Sequence, residues 1–278
     1  MSLLSRIGSR FHPLWRIRRT PWLFAIFHRL DFPLWVRCRS IGMRMRVMWF
    51  RDMTWLFDSV PKEPEFNRLM EQLCETFQPK VFWDVGANLG WFTWLVNAKV
   101  ALEHAVLFEP LPLNARLLGE TIARNGFKHM RIIQAAVADR FGEVAFKVDD
   151  RSGAASQIAE CFEASGESAC ARGYGLKTEI TVRTTTLDAE IASGAPVPDL
   201  IKMDIEGAEL LALKGAEKLL EQGRTILAFE CHQREAIAFL KAMKWEVFAV
   251  DSLNNYLAVP PAFMQRAAPV IQNLARVE

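Results

Sequence analysis

Asp84-Val-Gly-Ala-Asn-Leu-Gly90 decides the fold. Val81-Phe-Trp precedes it as a short apolar strand, and Trp91-Phe-Thr-Trp-Leu-Val follows as the opening of a helix. A glycine-rich turn between strand and helix is the context in which such a loop holds a small molecule. Gly86 and Gly90 let the backbone turn sharply and leave no Cβ in a ligand's way. The loop then offers free N–H groups and the positive end of a helix. A dinucleotide fingerprint needs GxGxxG, and here Asn88 and Trp91 stand at the second and third glycine positions, which denies pyrophosphate its close approach. Asp84, two residues before the first glycine, and Gly90, four after it, suit S-adenosylmethionine (SAM) instead. That ligand carries an amino-acid group that a carboxylate and loop amides can hold.

Ala105-Val-Leu-Phe-Glu109-Pro110 points the same way. It is a buried-type apolar strand ending in an acid 23 residues after Gly86. An acid at the end of the second strand, about 20 residues past the glycine loop, is placed to accept hydrogen bonds from ribose hydroxyls. Glu109 is therefore the ribose candidate. Pro110 and Pro112 stop the strand and open the next helix.

Pro198-Asp-Leu-Ile-Lys202-Met-Asp204-Ile-Glu206-Gly207 is the second informative stretch. A central parallel strand is apolar on both faces, yet Lys202, Asp204 and Glu206 recur at i, i+2 and i+4 on one face. Unpaired buried charges cost several kcal/mol each, so three in a row must face one another or a ligand. They are predicted to converge on the site bordered by the glycine loop. A structural Lys–Asp ion pair with a loop acid gives the same pattern. The next strand, Ile226-Leu-Ala-Phe-Glu230-Cys-His232, ends alike, with Glu230 and His232 on one face. His232 is a candidate general base whose tautomer the carboxylate fixes. Alternatively, the cluster's oxygens and this imidazole would hold a divalent metal.

At 278 residues and 51% hydrophobic composition, the chain can bury one large core with a small appendage. Cysteines at 38, 74, 161, 170 and 231 make no CxxC, which implies free thiols in a reducing, cytoplasmic setting. The five histidines form no HxxxH or HExxH, so no zinc site is expected. Net charge of +2 hides an asymmetry: residues 1–60 hold eleven Arg, three Asp and no Lys or Glu, which is +8. Five of the nine Trp lie there too. No uncharged run in that segment approaches the roughly 20 residues of a membrane span, and no signal peptide is evident. Arginines interleaved with Trp and Phe suit a segment lying on the inner face of a membrane, against anionic lipid, or meeting an anionic glycan; a solvated polar face reads alike. Nucleic acid is disfavoured because the rest of the chain is acidic.

Residues 1–32 read as one or two short basic helices interrupted at Pro13 and Pro21, and Val36–Arg39 with Met43–Phe50 as a β-hairpin. A helix over 65–76 follows. Strands are predicted at 81–85, 105–109, 131–137, 143–149 paired with 180–186, 199–205, 225–231, and 245–250 paired with 255–259. Helices at 91–98, 113–124, 207–222 and 233–243 alternate with them. That alternation demands a mainly parallel sheet covered on both faces, here with an antiparallel edge. The division is a basic aromatic extension, 1–60, and one α/β domain, 61–278. The Gly/Ser/Ala-rich stretch 150–178 reads as a lid over the acceptor site or a mere insertion.

With these residues in place, the chain resembles the FkbM-type SAM-dependent methyltransferases. The matching segments are DVGANLGWFT (84–93), LFEP (107–110), QAAVADRFGEV (134–144), TTLD (185–188), DLIKMDIEGAELLALKGA (199–216) and FECH (229–232). KMDIEGAE is far more specific than the glycine loop. The resemblance implies a Rossmann-like class I methyltransferase fold, with a seven-stranded sheet and a final antiparallel strand. It also implies O-methylation, often of sugar hydroxyls on glycans, glycolipids or natural products. On that reading Asp84, Gly86, Asn88 and Gly90 hold the methionine end of SAM, Glu109 the ribose and Asp139 the adenine edge, although Asp139 also fits a turn before Gly142. Because the sulfonium is already activated, the protein must align a hydroxyl and remove its proton. Asp204 and His232 are the candidate bases, with Lys202, Glu206 and Glu230 orienting or tuning them; no metal site is assigned. Rival readings are methylation of a carboxyl or amine, and a non-catalytic scaffold, which has no use for three charges on a buried strand.

Overall fold

The computed structural model describes residues 20–57, 63–149, 156–161 and 176–278; Pro13 and most of 150–178 lie outside them. Pro21 starts a helix where the sequence predicts an interruption, because its fixed φ suits a first turn: α1 runs Pro21–Arg29. The hairpin follows as β1 (Pro33–Cys38) and β2 (Met43–Met48), turned through Gly42 at φ 70. After the single turn α2 (Thr54–Phe57), α3 (Pro64–Phe77) buries Phe66, Leu69, Met70, Leu73 and Cys74, the spacing of one helix face. Then come β3 (Val81–Val85), α4 (Trp91–Lys99), β4 (His104–Phe108), α5 (Pro112–Asn125), β5 (Met130–Ile133), β6 (Ala136–Val137), β7 (Gly142–Asp149), β8 (Gln157–Ile158) and β9 (Leu176–Thr185). The second half holds α6 (Leu187–Ala192), β10 (Leu200–Met203), α7 (Glu209–Lys214), α8 (Glu217–Glu221), β11 (Ile226–Glu230) and α9 (Arg234–Ala242). It closes with β12 (Glu246–Ala249), β13 (Asn255–Val259), α10 (Met264–Ile271) and β14 (Ala275–Arg276).

The main sheet runs β14-β12-β13-β11-β10-β3-β4-β5. Strands β5 to β11 in that order are parallel, and β13 is antiparallel to both its neighbours. Seven strands form the Rossmann-like frame that the resemblance implies, and the two-residue β14 adds an eighth at the edge. The closing hairpin makes the predicted antiparallel edge region, and within it β13 is the inner strand. Its Leu257, Ala258 and Val259 are fully buried, a run that needs a neighbour on each side. The edge falls where Arg276 donates to Glu246 in solvent. The predicted strand 131–137 splits: Ala136 and Val137 leave the main sheet to pair with Thr184 and Thr185, joining a four-stranded sheet β6-β9-β7-β8.

Helices α3, α4 and α5 cover one face of the sheet through Leu69, Trp94 and Leu117, and α7 to α9 cover the other through Ala212, Leu219 and Leu240. The hairpin belongs to the first of these layers, since Met45, Val47 and Cys38 join the same apolar cluster. Its edge is fixed to α5, where Thr121 Oγ1 accepts from the Arg46 amide at 2.9 Å and Asn125 Nδ2 donates to the Arg44 carbonyl at 2.8 Å. Cys38, Cys74, Cys161 and Cys231 are buried free thiols. No helix among the described residues is long and apolar enough to cross a membrane.

The predicted helix 207–222 breaks into α7 and α8 around Gly215, where the chain passes so close to β6 that a Cβ would lie 2.1 Å from the Ala138 carbonyl oxygen. Gly215→Val is therefore expected to lower unfolding free energy by about 1–3 kcal/mol or more, the usual range for overpacking. Chemical denaturation measures it; unchanged stability would mean the two segments can separate freely.

Candidate active site

The sheet reverses its direction of growth at β3, with β4 on one side and β10 on the other, and open α/β sheets bind ligands at the carboxyl ends of such strands. Gly86 stands there at φ 79, and a Cβ on it would fall 2.0 Å from the Asp204 carbonyl oxygen. The loop is closed differently from the sequence reading. Gly86 and Ala87 amides both donate to the Phe108 carbonyl at 3.1 and 2.9 Å, and the Gly90 amide donates to Ala87 at 2.6 Å. These amides lock the loop onto β4 and are not turned to a ligand. Gly86 and the Asn88 side chain are what border the cavity, and Gly90 begins α4 at φ 80, its Cα packed under Trp94.

Glu109 is 4% exposed and lines the same cavity. Its Oε2 accepts from the Asn88 amide at 2.7 Å and its Oε1 from the Leu111 amide at 2.9 Å. Burial nevertheless pushes the carboxyl up to about 7, against those amides, Arg51 and Asn114. Phe108, Leu111, Phe146 and Ile158 make the apolar wall opposite. Ser156 and Ile158, from the described part of the stretch 150–178, line this cavity.

Lys202 lies directly across from Asp84 in the β3–β10 register. Its Nζ is 3.3 Å from Asp204, 3.7 Å from Asp84 and 3.1 Å from the Gly86 carbonyl, to which it donates. Burial works against its charge, but Asp204, Asp84 and Glu63 outweigh burial and hold the ammonium above its ordinary range. Asp84 is turned inward: its Oδ2 accepts from the Thr93 amide at 3.2 Å and hydroxyl at 2.7 Å, which pins the first turn of α4. Asp204 lines the cavity with its side chain 29% exposed.

β10 ends at Met203, short of the predicted 205, and Glu206 and Gly207 turn through φ 53 and 98. Glu206 therefore leaves the strand face shared by Lys202 and Asp204, yet still lines the cavity. His232 and Glu230 do pair, Nε2 to Oε1 at 3.1 Å, while Asn254 Nδ2 sits 3.0 Å from Nδ1. Asn254 can only donate there, so Nδ1 accepts and Nε2 carries the proton. Neither residue lines the cavity. Asp139 is half-buried beside Arg140 at 3.4 Å, and Ala135, Ala136 and Val137 border the cavity in its stead.

Two acids were missed by sequence reasoning. Glu63 immediately precedes α3, and burial first, then Asp204 and Glu230, push it up to about 7. Its carbonyl accepts from Asn67 Nδ2 at 2.6 Å, and Asn67 Oδ1 accepts from Trp91 Nε1 at 2.7 Å, which anchors it to the helix after the glycine loop. Its one sequence signal is an acid before Pro64 at a helix start. Glu209 opens α7. It is 1% exposed, its Oε1 accepts from the Gly207 amide at 3.0 Å, its Oε2 has no hydrogen-bond partner among the described residues, and burial pushes it up to about 7. Among the described residues no group of three His, Cys, Asp or Glu is arranged to hold a metal.

A buried acid, an asparagine and an apolar wall border one cavity at the glycine turn. The methyltransferase FkbM domain family matches residues 84–256, and the chain belongs to that family, whose methyl donor is SAM. The hexuronic acid methyltransferase AglP of Haloferax volcanii is 29% identical over 170 residues, which are 60% of this chain and 62% of that protein. Among solved structures, the methyltransferase FkbM of Methylobacillus flagellatus covers 65% of this chain and 43% of its own, at 19% identity and TM-score 0.45. An O-methyltransferase of Bacillus cereus in complex with SAH covers 71% and 82%, at 12% identity and TM-score 0.43.

Glu109 accepts from hydroxyls best when ionised. S-adenosylhomocysteine affinity is expected to be constant above pH 7 and to fall below it, approaching tenfold per unit. Glu109→Gln should lose both that slope and about 1.5–3 kcal/mol of binding. Calorimetry across pH 6–8, a range of about one unit either side of the raised value, checks both, and a flat wild-type profile would remove Glu109 from the ribose.

Proposed function

We propose that the chain is a SAM-dependent O-methyltransferase acting on a hydroxyl of a sugar in a glycan, glycolipid or natural product. The observation that carries this is Asp204: it lines the donor cavity, is ion-paired to Lys202 and stands within electrostatic reach of Glu63. The relative that methylates hexuronic acid supports a sugar as the acceptor class.

SAM supplies an activated methyl group; the chain's own residues bind, orient and take up a proton. Glu109 and Asn88 hold the ribose, the Phe108–Ile158 wall faces the adenine, and Asp84 acts through Lys202 and α4. Asp204 takes the hydroxyl proton, and Glu63 shares its field. His232, with both ring nitrogens engaged, positions Glu230 rather than acting as the base.

The surrounding acids, Glu63, Glu230 and Asp251, disfavour a carboxylate acceptor, whose oxygen needs no base. They suit an amine as well as a hydroxyl, and the product separates the two. Incubation with methyl-labelled SAM and uronate-containing glycans should give label on carbohydrate that survives mild alkali, as a methyl ether does. Label released by alkali marks a methyl ester, label on nitrogen marks an amine, and either sinks the O-methyl ether assignment. Asp204→Asn should lower turnover by about 10²–10⁴-fold, the worth of a general base, with cofactor affinity within a few-fold. A fully active variant would reduce Asp204 to a partner of Lys202.

A further inference from the structure

The hairpin turns a basic face to solvent that the cavity does not use. Trp35 and Arg37 point outward from β1 and Arg44 and Arg46 from β2, while Met43, Met45 and Val47 point into the core. The register sets Arg37 directly opposite Arg44, a like-charge pair that destabilises a hairpin unless something negative lies against it. Helix α5 adds Arg124, its guanidinium 5.9 Å from the Trp35 ring.

Arg37, Arg44 and Arg124 line one open cleft of about 420 Å³ with Gly42, Met43 and Asn125, and no acid among the described residues lines it. None of the three makes an ion pair among the described residues. Arg46, the fourth arginine of this face, is neutralised by Glu120 at 2.8 Å. Asn125 holds the Arg44 backbone from both sides, Oδ1 accepting from its amide at 3.5 Å and Nδ2 donating to its carbonyl, so the cleft is fixed to the core helix.

The same segment exposes its apolar side chains. Trp22 and Ile26 on α1 and Leu30 just past its end follow one another at four-residue spacing, 64%, 48% and 62% exposed, and Phe32 continues them at 56%. A helix on a soluble core turns such a stripe inward. Turned outward in the same arginine-rich segment, it matches one that sinks into the headgroup boundary of an anionic bilayer.

We propose that Arg37, Arg44 and Arg124 bind the phosphate of an anionic phospholipid headgroup while Trp22, Ile26, Leu30 and Phe32 enter the lipid interface, so that this segment docks on a membrane. Guanidinium forks match phosphate oxygens in pairs. The inference is independent of the acceptor chemistry at the cavity.

Removing residues 1–60 would strip Met45 and Val47 from the core, so point variants of the full chain are the test. The full chain should sediment with phosphatidylcholine vesicles containing phosphatidylglycerol, more at low salt than at high, and not with phosphatidylcholine alone. Arg37→Gln/Arg44→Gln/Arg124→Gln should weaken that binding on the order of 100-fold, with S-adenosylhomocysteine binding unchanged as the check on folding. Should the triple variant fail to fold, Arg124→Gln alone should weaken it about fivefold. Equal vesicle binding by variant and wild type overturns the proposal, since other arginines then suffice. Binding of inorganic phosphate without vesicle binding overturns it too, in favour of a soluble anion.

Discussion

Lys202 is 3% exposed, and its ammonium touches both central strands and the loop between β3 and α4. Removing an ammonium from water costs several kcal/mol, repaid only where geometry supplies partners on every side. Here they are the Asp84 and Asp204 carboxylates, the Gly86 carbonyl and the face of Phe92 at 5.2 Å. One contact therefore sets three things together. It fixes β3 against β10, draws the glycine loop over the strand ends, and brings Asp204 to the cavity. The close fit leaves no room for a Cβ at Gly86, so its glycine answers to the Asp204 backbone as much as to any ligand.

Around that cation the site keeps three carboxyls that burial raises to about 7: Glu63, Glu109 and Glu209. Such groups cost stability at neutral pH, and their clustering at strand ends marks a place arranged for chemistry. Each is held by the backbone differently. Glu109 accepts two loop amides, Glu209 caps its own turn through Gly207, and Glu63 rides on a helix start tied to Trp91 through Asn67.

What the sequence disclosed was whatever a short stretch encodes by itself. The strand–glycine turn–helix unit, Glu109 at a strand end, and Lys202 with Asp204 two residues on are local patterns, and the alternation of strands and helices gave the parallel sheet. Features that needed partners from elsewhere were hidden. Glu63 meets Asp204 and Glu230 only because α3 packs beside α4. Glu206 obeyed a period of two on paper, but a positive φ ended the strand before it. The loop amides read as free because Phe108 and Glu109, which take them, come from the next strand. The insertion of β13 between β11 and β12 follows from its burial, which a hairpin pattern does not report.

A double-mutant cycle on Lys202 and Asp84, read by chemical denaturation, tests the central role of this ion cluster most directly. Lys202→Met should cost about 3–5 kcal/mol, because Asp84 is left charged and buried without its cation. Asp84→Asn should destabilise the wild type, but should restore part of the lost stability in the Lys202→Met background, since an amide still accepts from Thr93 and carries no charge. That reversal of sign is the expected result. Equal, additive losses in both backgrounds would contradict the account and leave Lys202 an incidental neighbour of Asp84.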